Sequence, residues 1–551
     1  MSANVSLHLR EWAERTPARC AVRTFGRRPA AIDFAALEAR VNAAAHGLGE
    51  LGLAPGDRAC LFVPPGIDFV TLFHALLRLG AVPVLIDPGM GTRAMLACIE
   101  RAAPRVLISL PRGHWARRLR PGPFRSVEVG VRVGRGPAPG AVPLERLLAA
   151  GGTRPFPVVE RGSGPAAVLF TSGSTGPAKG VVYTHANFAA QVDVLRTLYD
   201  LEPGSADCAC FPLFALFDNA LGMTSVFPEP EETRPAACDP AALHRAAEAS
   251  RARFAFGSPA LWRRVQAWAE PRGARFSTLA RVTMAGAPVP PALVLGVRRL
   301  LPPGGEVHAP YGATEALPVS DVSASELERL RDRVEHGAAG SCVGRPAPGI
   351  EVALVRVTDE PIERWDESLR VAPGTPGEIC VKGAVVTREY LGDAPATLAA
   401  KIPDGDGPAG FWHRMGDVGR MDAEGRLWFL GRKSQRVETE RGTLFPVPLE
   451  NLFDATPGVS RTALVGVGPR GKERPHLVVE PEARAASSEL LPRLRARAET
   501  NDDARAVEGF LFHRRFPVDP RHNAKIHREE LKRWAERRVR RTATEGRRST
   551  F

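Results

Sequence analysis

Short apolar runs alternate with longer helical ones over most of the chain, and this alternation constrains the fold more than any other feature. ACLFVPP (59–65), AVPVLID (81–87), RVLISL (105–110) and AAVLFTS (166–172) read as buried strands. FVTLFHALLRLG (69–80) carries apolar residues at helical spacing and stops at glycine. Strand, helix and strand in succession predict parallel sheets covered by helices, the α/β class. From about Val352 the pattern changes: EVALVRV, GEICVKG and GRLWFLGR are short strands set off by Gly, Pro and Asp. They predict a smaller, β-barrel-like subdomain over about 352–432. Beyond Arg432 a polar stretch leads into a last α+β segment. The expected organisation is a large N-terminal domain, 1–432, and a small C-terminal domain, 433–551. The Pro/Gly/Arg-rich segments 112–145 and 228–240 are expected as loops.

In such sheets ligands bind where strands end and glycine-rich loops begin. LFTSGSTGPAKGVVYTH (169–185) has that place and composition. Glycines let backbone N–H groups turn inward to grip phosphate oxygens. Thr171, Ser172, Ser174 and Thr175 add hydroxyls around Gly173 and Gly176, and Lys179 adds a cation. The P-loop, the dinucleotide fingerprint and the hydrolase elbow all fail to match this spacing.

A chain of 551 residues exceeds one core, and about three to four folding units are expected. Its 44% hydrophobic and 25% charged content is that of an ordinary globular protein. No apolar run long enough to span a bilayer occurs, and charges occupy the N-terminus where a signal peptide is apolar, so a cytoplasmic protein is expected. The eight cysteines form no C-x-x-C pair and read as free thiols. The net charge of +13 comes from arginine, concentrated in the tail after Arg533. A solvated helix face is the default for such a run; an acidic lipid or protein contact is the alternative, and no aromatic interleaving points to nucleic acid.

Six separated stretches then share one resemblance. TSGSTGPAKG (171–180), YGATE (311–315), GEICVKG (377–383), MGDVG (415–419), GRKSQRV (431–437) and RHNAKIHRE (521–529) resemble, in order and spacing, the motifs of AMP-forming adenylating enzymes. These are the acyl-CoA synthetases, luciferases and adenylation domains. The resemblance implies ATP and Mg²⁺ as cofactors and a C-terminal lid that rotates between half-reactions. It implies phosphate binding by Thr171–Gly176 and Lys179, and Mg²⁺ at Glu315 with Thr314 on a phosphate. Asp417 and Arg432 would hold the ribose. Gly286, Ala287 and Pro288, with Tyr311 and Gly312, would frame the adenine. Lys525 would bridge the carboxylate and the α-phosphate. His413, in WHRMGD, reads equally as a packed or a catalytic histidine.

The departures point to one branch. Ala215 stands where many acyl-CoA ligases carry a histidine, Ser434 replaces the hinge aspartate, and GTLFPVPLE (442–450) replaces the usual pantetheine-tunnel loop. FPLFALF, YGATEALPVS, WHRMGDVG and PVDPRHNAKIHREEL together look like the β-lactone synthetases of bacterial olefin and lipid β-lactone pathways. That resemblance implies a 2-alkyl-3-hydroxy fatty acid as substrate, activated as an acyl-AMP and closed by its own hydroxyl. Phe211, Phe214 and Phe217 are then candidates for the wall around two alkyl chains. The labile intermediates of such a pathway make an assembly with neighbouring enzymes an expected partnership, which the basic tail could serve; that tail also allows a peripheral membrane contact. The alternatives are a fatty acyl-CoA or fatty acyl-AMP ligase, and a non-catalytic adenylate-binding protein.

Overall fold

The computed structural model describes residues 4–152, 154–159, 164–171, 178–210, 214–229, 237–331, 333, 340–405, 410–483, 485–518 and 526–548. Two sheets organise the described residues up to Arg432. In one, Thr224–Phe227, Ala206–Ala209, Phe254–Gly257, Arg281–Met284 and Glu306–Ala313 lie side by side and parallel. In the other, Pro165–Thr171, Val82–Ile86, Arg58–Phe62, Val106–Ser109 and Val129–Arg132 do the same. The parallel α/β expectation is met, and its reason is visible in burial. Every residue of Val82–Ile86 and of Phe254–Gly257 is buried, because helices cover both faces.

The helices Phe34–Glu50, Ile67–Leu79, His185–Tyr199 and Ala215–Leu221 fill the layer between the two sheets and share the largest apolar core. Ile67–Leu79 is buried from Phe69 through Leu79, so it is apolar on every side rather than on one stripe. It stops at Gly80, whose φ of +76° is the left-handed cap that glycine adopts without strain. Pro240–Ser250, Pro259–Ala269 and Pro291–Arg298 cover the outer face of the first sheet.

Two expectations need correction. The antiparallel strands Ser341–Pro346, Leu427–Arg432, Phe411–Met421, Gly377–Lys382 and Glu351–Val355 form no closed barrel among the described residues. They continue the first sheet through Ala316–Ser323, so the change from parallel to antiparallel happens within one sheet. Second, 112–145 is not a loop. It holds the helix Pro111–Leu119, the strand Val129–Arg132 and the start of the helix Leu144–Gly151. Its arginines are good helix formers that read as loop only because prolines flank them. Of 228–240, residues 230–236 lie outside the described residues.

After Arg432 a three-stranded sheet of Val459–Val467, Arg474–Pro481 and Gly509–Phe512 packs under Pro446–Asp454, Ser487–Ala498 and Arg528–Arg548 with cores of its own. Ion pairs tie it back to the antiparallel strands. Asp359 receives Arg436 at 2.8 Å and Arg470 at 2.5 Å, and Lys433 reaches Glu378 at 3.0 Å.

Candidate active site

The glycine-rich segment is the connection of a hairpin. Pro165–Thr171 and Lys179–Thr184 run antiparallel, with Thr171 and Lys179 as Cα partners at its neck. Ser172, Gly173, Ser174, Thr175 and Gly176 lie outside the described residues. Lys179 extends over the ring of Tyr390, its Nζ 4.7 Å from the centroid. Tyr390 is delivered there by the two-residue strand Glu389–Tyr390, which pairs with Val181 and Val182. Its hydroxyl donates to Glu315 Oε1 at 2.7 Å. Burial, and then the Glu315 charge, push the Tyr390 phenol well up, so it stays a donor.

Thr314 and Glu315 are the two turn residues between the strands Glu306–Ala313 and Ala316–Ser323, whose last pair is Ala313 with Ala316. The turn is held from behind. Tyr183 donates its hydroxyl to the Thr314 carbonyl at 2.5 Å. The Glu315 carbonyl accepts from the Thr387 amide at 2.8 Å and its hydroxyl at 3.0 Å. A Cβ on Gly312 would stand 2.7 Å from the Ala316 carbonyl, so only glycine lets the two strands close here. Main-chain and tyrosine bonds therefore fix Glu315 before any ligand arrives.

Beneath this turn lies a second lysine. Lys401 is buried, donates to the Thr387 carbonyl and lies 5.2 Å from the Phe411 ring centroid. Burial lowers its ammonium to about 7, against the pull of Glu315. The bond to Thr387 survives deprotonation, because a neutral amine still donates. His413, its cross-strand partner, is buried with Nδ1 3.2 Å from the Ala400 carbonyl. Burial and the Lys401 charge hold it neutral, well below the usual imidazole range. Lys401→Met keeps the length and removes the donor to the segment that carries Thr387 and Tyr390. It is expected to raise the apparent KM for magnesium-bound nucleotide by about tenfold, the worth of one buried hydrogen bond, while leaving the affinity for the acid unchanged. Pyrophosphate exchange titrated with Mg²⁺ measures it.

Across the first sheet, Asp417 is buried within Phe411–Met421. Its Oδ2 accepts from Tyr311 at 2.6 Å, and its Oδ1 lies 2.9 Å from Arg432 Nη1. The register explains the pair: Asp417 and Arg432 are Cα partners on neighbouring strands. Burial raises the Asp417 carboxyl; Arg432 and Tyr311 pull it back. A carboxylate offers about four acceptor sites, so sites remain for two vicinal hydroxyls. Tyr311, Asp417 and Arg432 thus assemble as one group. Gly286, Ala287 and Pro288 follow the strand Arg281–Met284, whose neighbour carries Tyr311. Gly286 has φ +91°, and no hydrogen bond or ring contact among the described residues joins these three to Asp417.

The aromatic candidates form a wall. Phe214 stacks on Phe256 with centroids 4.4 Å apart and on Phe254 at 5.7 Å. Phe217 lies edge-on at 5.9 Å and meets Phe188 at 6.1 Å. Phe188 stacks at 5.1 Å on Tyr183, the residue that holds Thr314, so rings run without a break from the wall to the turn. Phe211 lies outside the described residues, as does Lys525; the residues flanking the latter's segment, Val518 and Ile526, form an isolated bridge. The wall also hides two acids, Asp207 and Asp218, each with no exposed surface and placed side by side. Sequence reasoning missed Tyr183, Tyr390, Lys401 and this pair. Lys401 alone left a trace, as one of seven lysines in an arginine-rich chain.

The pattern of the AMP-binding enzyme family matches residues 9–391. The chain is 45% identical over 547 residues to an olefin beta-lactone synthetase of Stenotrophomonas maltophilia (strain K279a), covering 97% of this chain and 98% of that one. It is 42% identical to the protein of the same name in Xanthomonas campestris pv. campestris, covering 97% of each. Among solved structures, an amide bond synthetase from Marinactinospora thermotolerans superposes with a TM-score of 0.76 at 24% identity, covering 96% of this chain and 99% of that one; at that identity it shows the fold. A buried acid–arginine–tyrosine group, a tyrosine-held glutamate and a glycine-rich hairpin on this fold agree with what the two sequence relatives indicate: the chain belongs to the AMP-binding enzyme family.

Proposed function

We propose that this protein is an ATP-dependent β-lactone synthetase. The observation that carries the reading is 45% identity over 97% of the chain to an olefin beta-lactone synthetase. In the first step a carboxylate oxygen of a 2-alkyl-3-hydroxy fatty acid attacks the α-phosphorus of ATP. The bond to the bridging oxygen breaks, pyrophosphate leaves and an acyl-AMP forms. In the second, the 3-hydroxyl of the same molecule attacks the activated carbonyl. The bond to the AMP oxygen breaks, AMP leaves, the hydroxyl proton is released and a four-membered lactone closes. The nucleophile is already tethered, so proximity replaces a second substrate.

The chain's own residues fit these tasks. Two anions must meet, and the site must offset their repulsion. Lys179 and the 171–176 loop would hold the outer phosphates, and Asp417, Tyr311 and Arg432 the sugar. Lys525, on a C-terminal lid spanning 433–551, would reach the carboxylate and the α-phosphate. Glu315 offers a hard oxygen donor with one oxygen fixed by Tyr390, which suits Mg²⁺; the ion would neutralise phosphate charge there. The rings of Phe214 and Phe217 would line the alkyl chamber and exclude water, which otherwise hydrolyses the adenylate.

Incubation of the protein with ATP, Mg²⁺ and a 3-hydroxy acid, without coenzyme A, is expected to give AMP and the β-lactone in equal amounts by mass spectrometry. Strict dependence on coenzyme A, with a thioester as product, would overturn the reading.

A further inference from the structure

Among the described residues three large apolar side chains stand in solvent: Trp115 at 46% exposure, Leu119 at 75% and Leu398 at 68%. The first two lie four residues apart on the helix Pro111–Leu119, so they share one face, a turn apart. The opposite face is anchored. His114 is buried with Nε2 3.0 Å from the Val131 carbonyl, and Arg117 is drawn inward to the Val127 carbonyl at 2.5 Å. The outward face is ringed by arginine. Arg112, Arg118, Arg120 and Arg125 are exposed, and no acidic residue occurs between Pro111 and Val127. Arg125 has one exposed partner, Glu100 at 3.5 Å. The loop 134–137 adds exposed Arg135 and lies against the helix: the Trp115 indole donates to the Pro137 carbonyl at 3.1 Å. The indole is thus fixed in orientation while half its surface faces water.

We propose that this face docks on an anionic lipid surface. An indole and a leucine project between guanidinium groups, the arrangement with which interfacial helices insert apolar tips while cations meet lipid phosphates. Arginine stems extend the apolar footprint while their heads stay in water. Charge complementarity selects an acidic partner. The smallness of the patch selects a bilayer, because two apolar side chains fall far short of the roughly 800 Å² per partner that a stable protein interface buries. The inference does not rest on the chemistry proposed for the nucleotide site, although a substrate with two alkyl chains would itself reside in such a surface.

The experiment is co-sedimentation of the full-length protein with vesicles of phosphatidylcholine alone or mixed equally with phosphatidylglycerol. Binding is expected to the mixed vesicles only and to weaken as salt is raised. Trp115→Ser with Leu119→Ser is expected to weaken it at least about tenfold. Each of Arg112→Glu, Arg118→Glu and Arg120→Glu is expected to weaken it at least about fivefold. Pyrophosphate exchange should stay at the parent value in all of these variants, since the changed side chains are remote from the glycine-rich hairpin in the sheet order; melting temperature should stay there in the arginine variants and fall only slightly in the Trp115→Ser, Leu119→Ser protein, which gives up the bond to the Pro137 carbonyl. A chain ending at Arg541 should bind as the parent does. Failure to bind mixed vesicles would overturn the proposal. So would binding indifferent to the patch variants, or binding lost on shortening the basic tail. A patch variant that instead changed the oligomeric state would replace the bilayer with a second copy of the chain.

Discussion

Asp417→Ala is expected to cut kcat/KM for ATP by about 10²–10⁴-fold, because the two charge-assisted hydrogen bonds proposed to the sugar hydroxyls would be worth roughly 1.5–3 kcal/mol each. The stability cost should be smaller. Asp417 is 4% exposed, but its partner Arg432 is 39% exposed, so water takes over much of what the guanidinium loses. What remains is mainly the Tyr311 hydroxyl, left without the acceptor it reaches at 2.6 Å. About 1–3 kcal/mol is expected for that loss. Asp417→Asn separates the two effects. An amide oxygen still accepts from Tyr311 and fills the same space, so melting should recover most of the way to the parent value. The amide cannot accept with both terminal atoms, so nucleotide binding should stay weak. Lys525→Ala is the contrast: its effect should fall on kcat, with KM for ATP and melting unchanged, because its proposed contact is made only as carboxylate and phosphorus meet. Calorimetric binding of ATP beside pyrophosphate exchange distinguishes the three. An Asp417→Asn protein that bound ATP as tightly as the parent would remove the sugar-binding assignment.

What could be read from sequence follows from how each group is assembled. Tyr311, Gly312, Thr314 and Glu315 lie within five consecutive residues, so one turn places them all. Asp417 and Arg432 sit in separate motifs, but neighbouring strands bring them into register without an intervening helix. The parallel sheets were legible because burial on both faces writes continuous apolar runs into the sequence. Tyr390 and Lys401 were not legible, because topology alone brings them to Glu315. Tyr390 arrives on a two-residue edge strand, and Lys401 on a three-residue strand paired to His413. Neither strand is long enough to show a period. The short strands expected as a β-barrel-like unit over 352–432 are present but extend the larger sheet, for a related reason: turn-rich antiparallel segments look alike whether they close on themselves or continue a neighbour.

Asp207 and Asp218 are expected to make the protein lose stability as pH rises through neutrality. Asp207 lies between Ser225 and Phe254 in the register of its sheet, and Asp218 comes down on it from the helix Ala215–Leu221. The Ser225 hydroxyl, the Phe256 amide and the Cys208 thiol are their polar neighbours. The hydroxyl is divided between the Ala215 carbonyl at 3.0 Å and Asp218, whose carboxyl it pulls back only in part, and no cation is among the groups that shift either acid. Two touching carboxyls without a cation cannot both ionise, so they share a proton. Burial lifts Asp207 to about 7, and burial with the Asp207 charge lifts Asp218 well above the usual range. The sign follows from proton counts. Above about pH 4 the unfolded chain has released both protons while the fold keeps at least one, so folding takes up protons and stability falls with rising pH. The decline sums the shares of both acids, and each share is complete once that acid's own raised pKa is passed. Asp218→Asn supplies a permanent donor of the same shape. It should flatten that decline and leave the variant more stable than the parent at pH 8, with the order reversed or levelled at pH 5. Because Phe217, proposed to line the alkyl chamber, rides on the same helix turn as Asp218, the parent's affinity for a long-chain acid should also fall at alkaline pH before it unfolds. Melting curves of the two proteins between pH 5 and pH 9 decide it: parallel pH dependences would mean the acids do not share a proton, and the aromatic wall would then stand on packing alone.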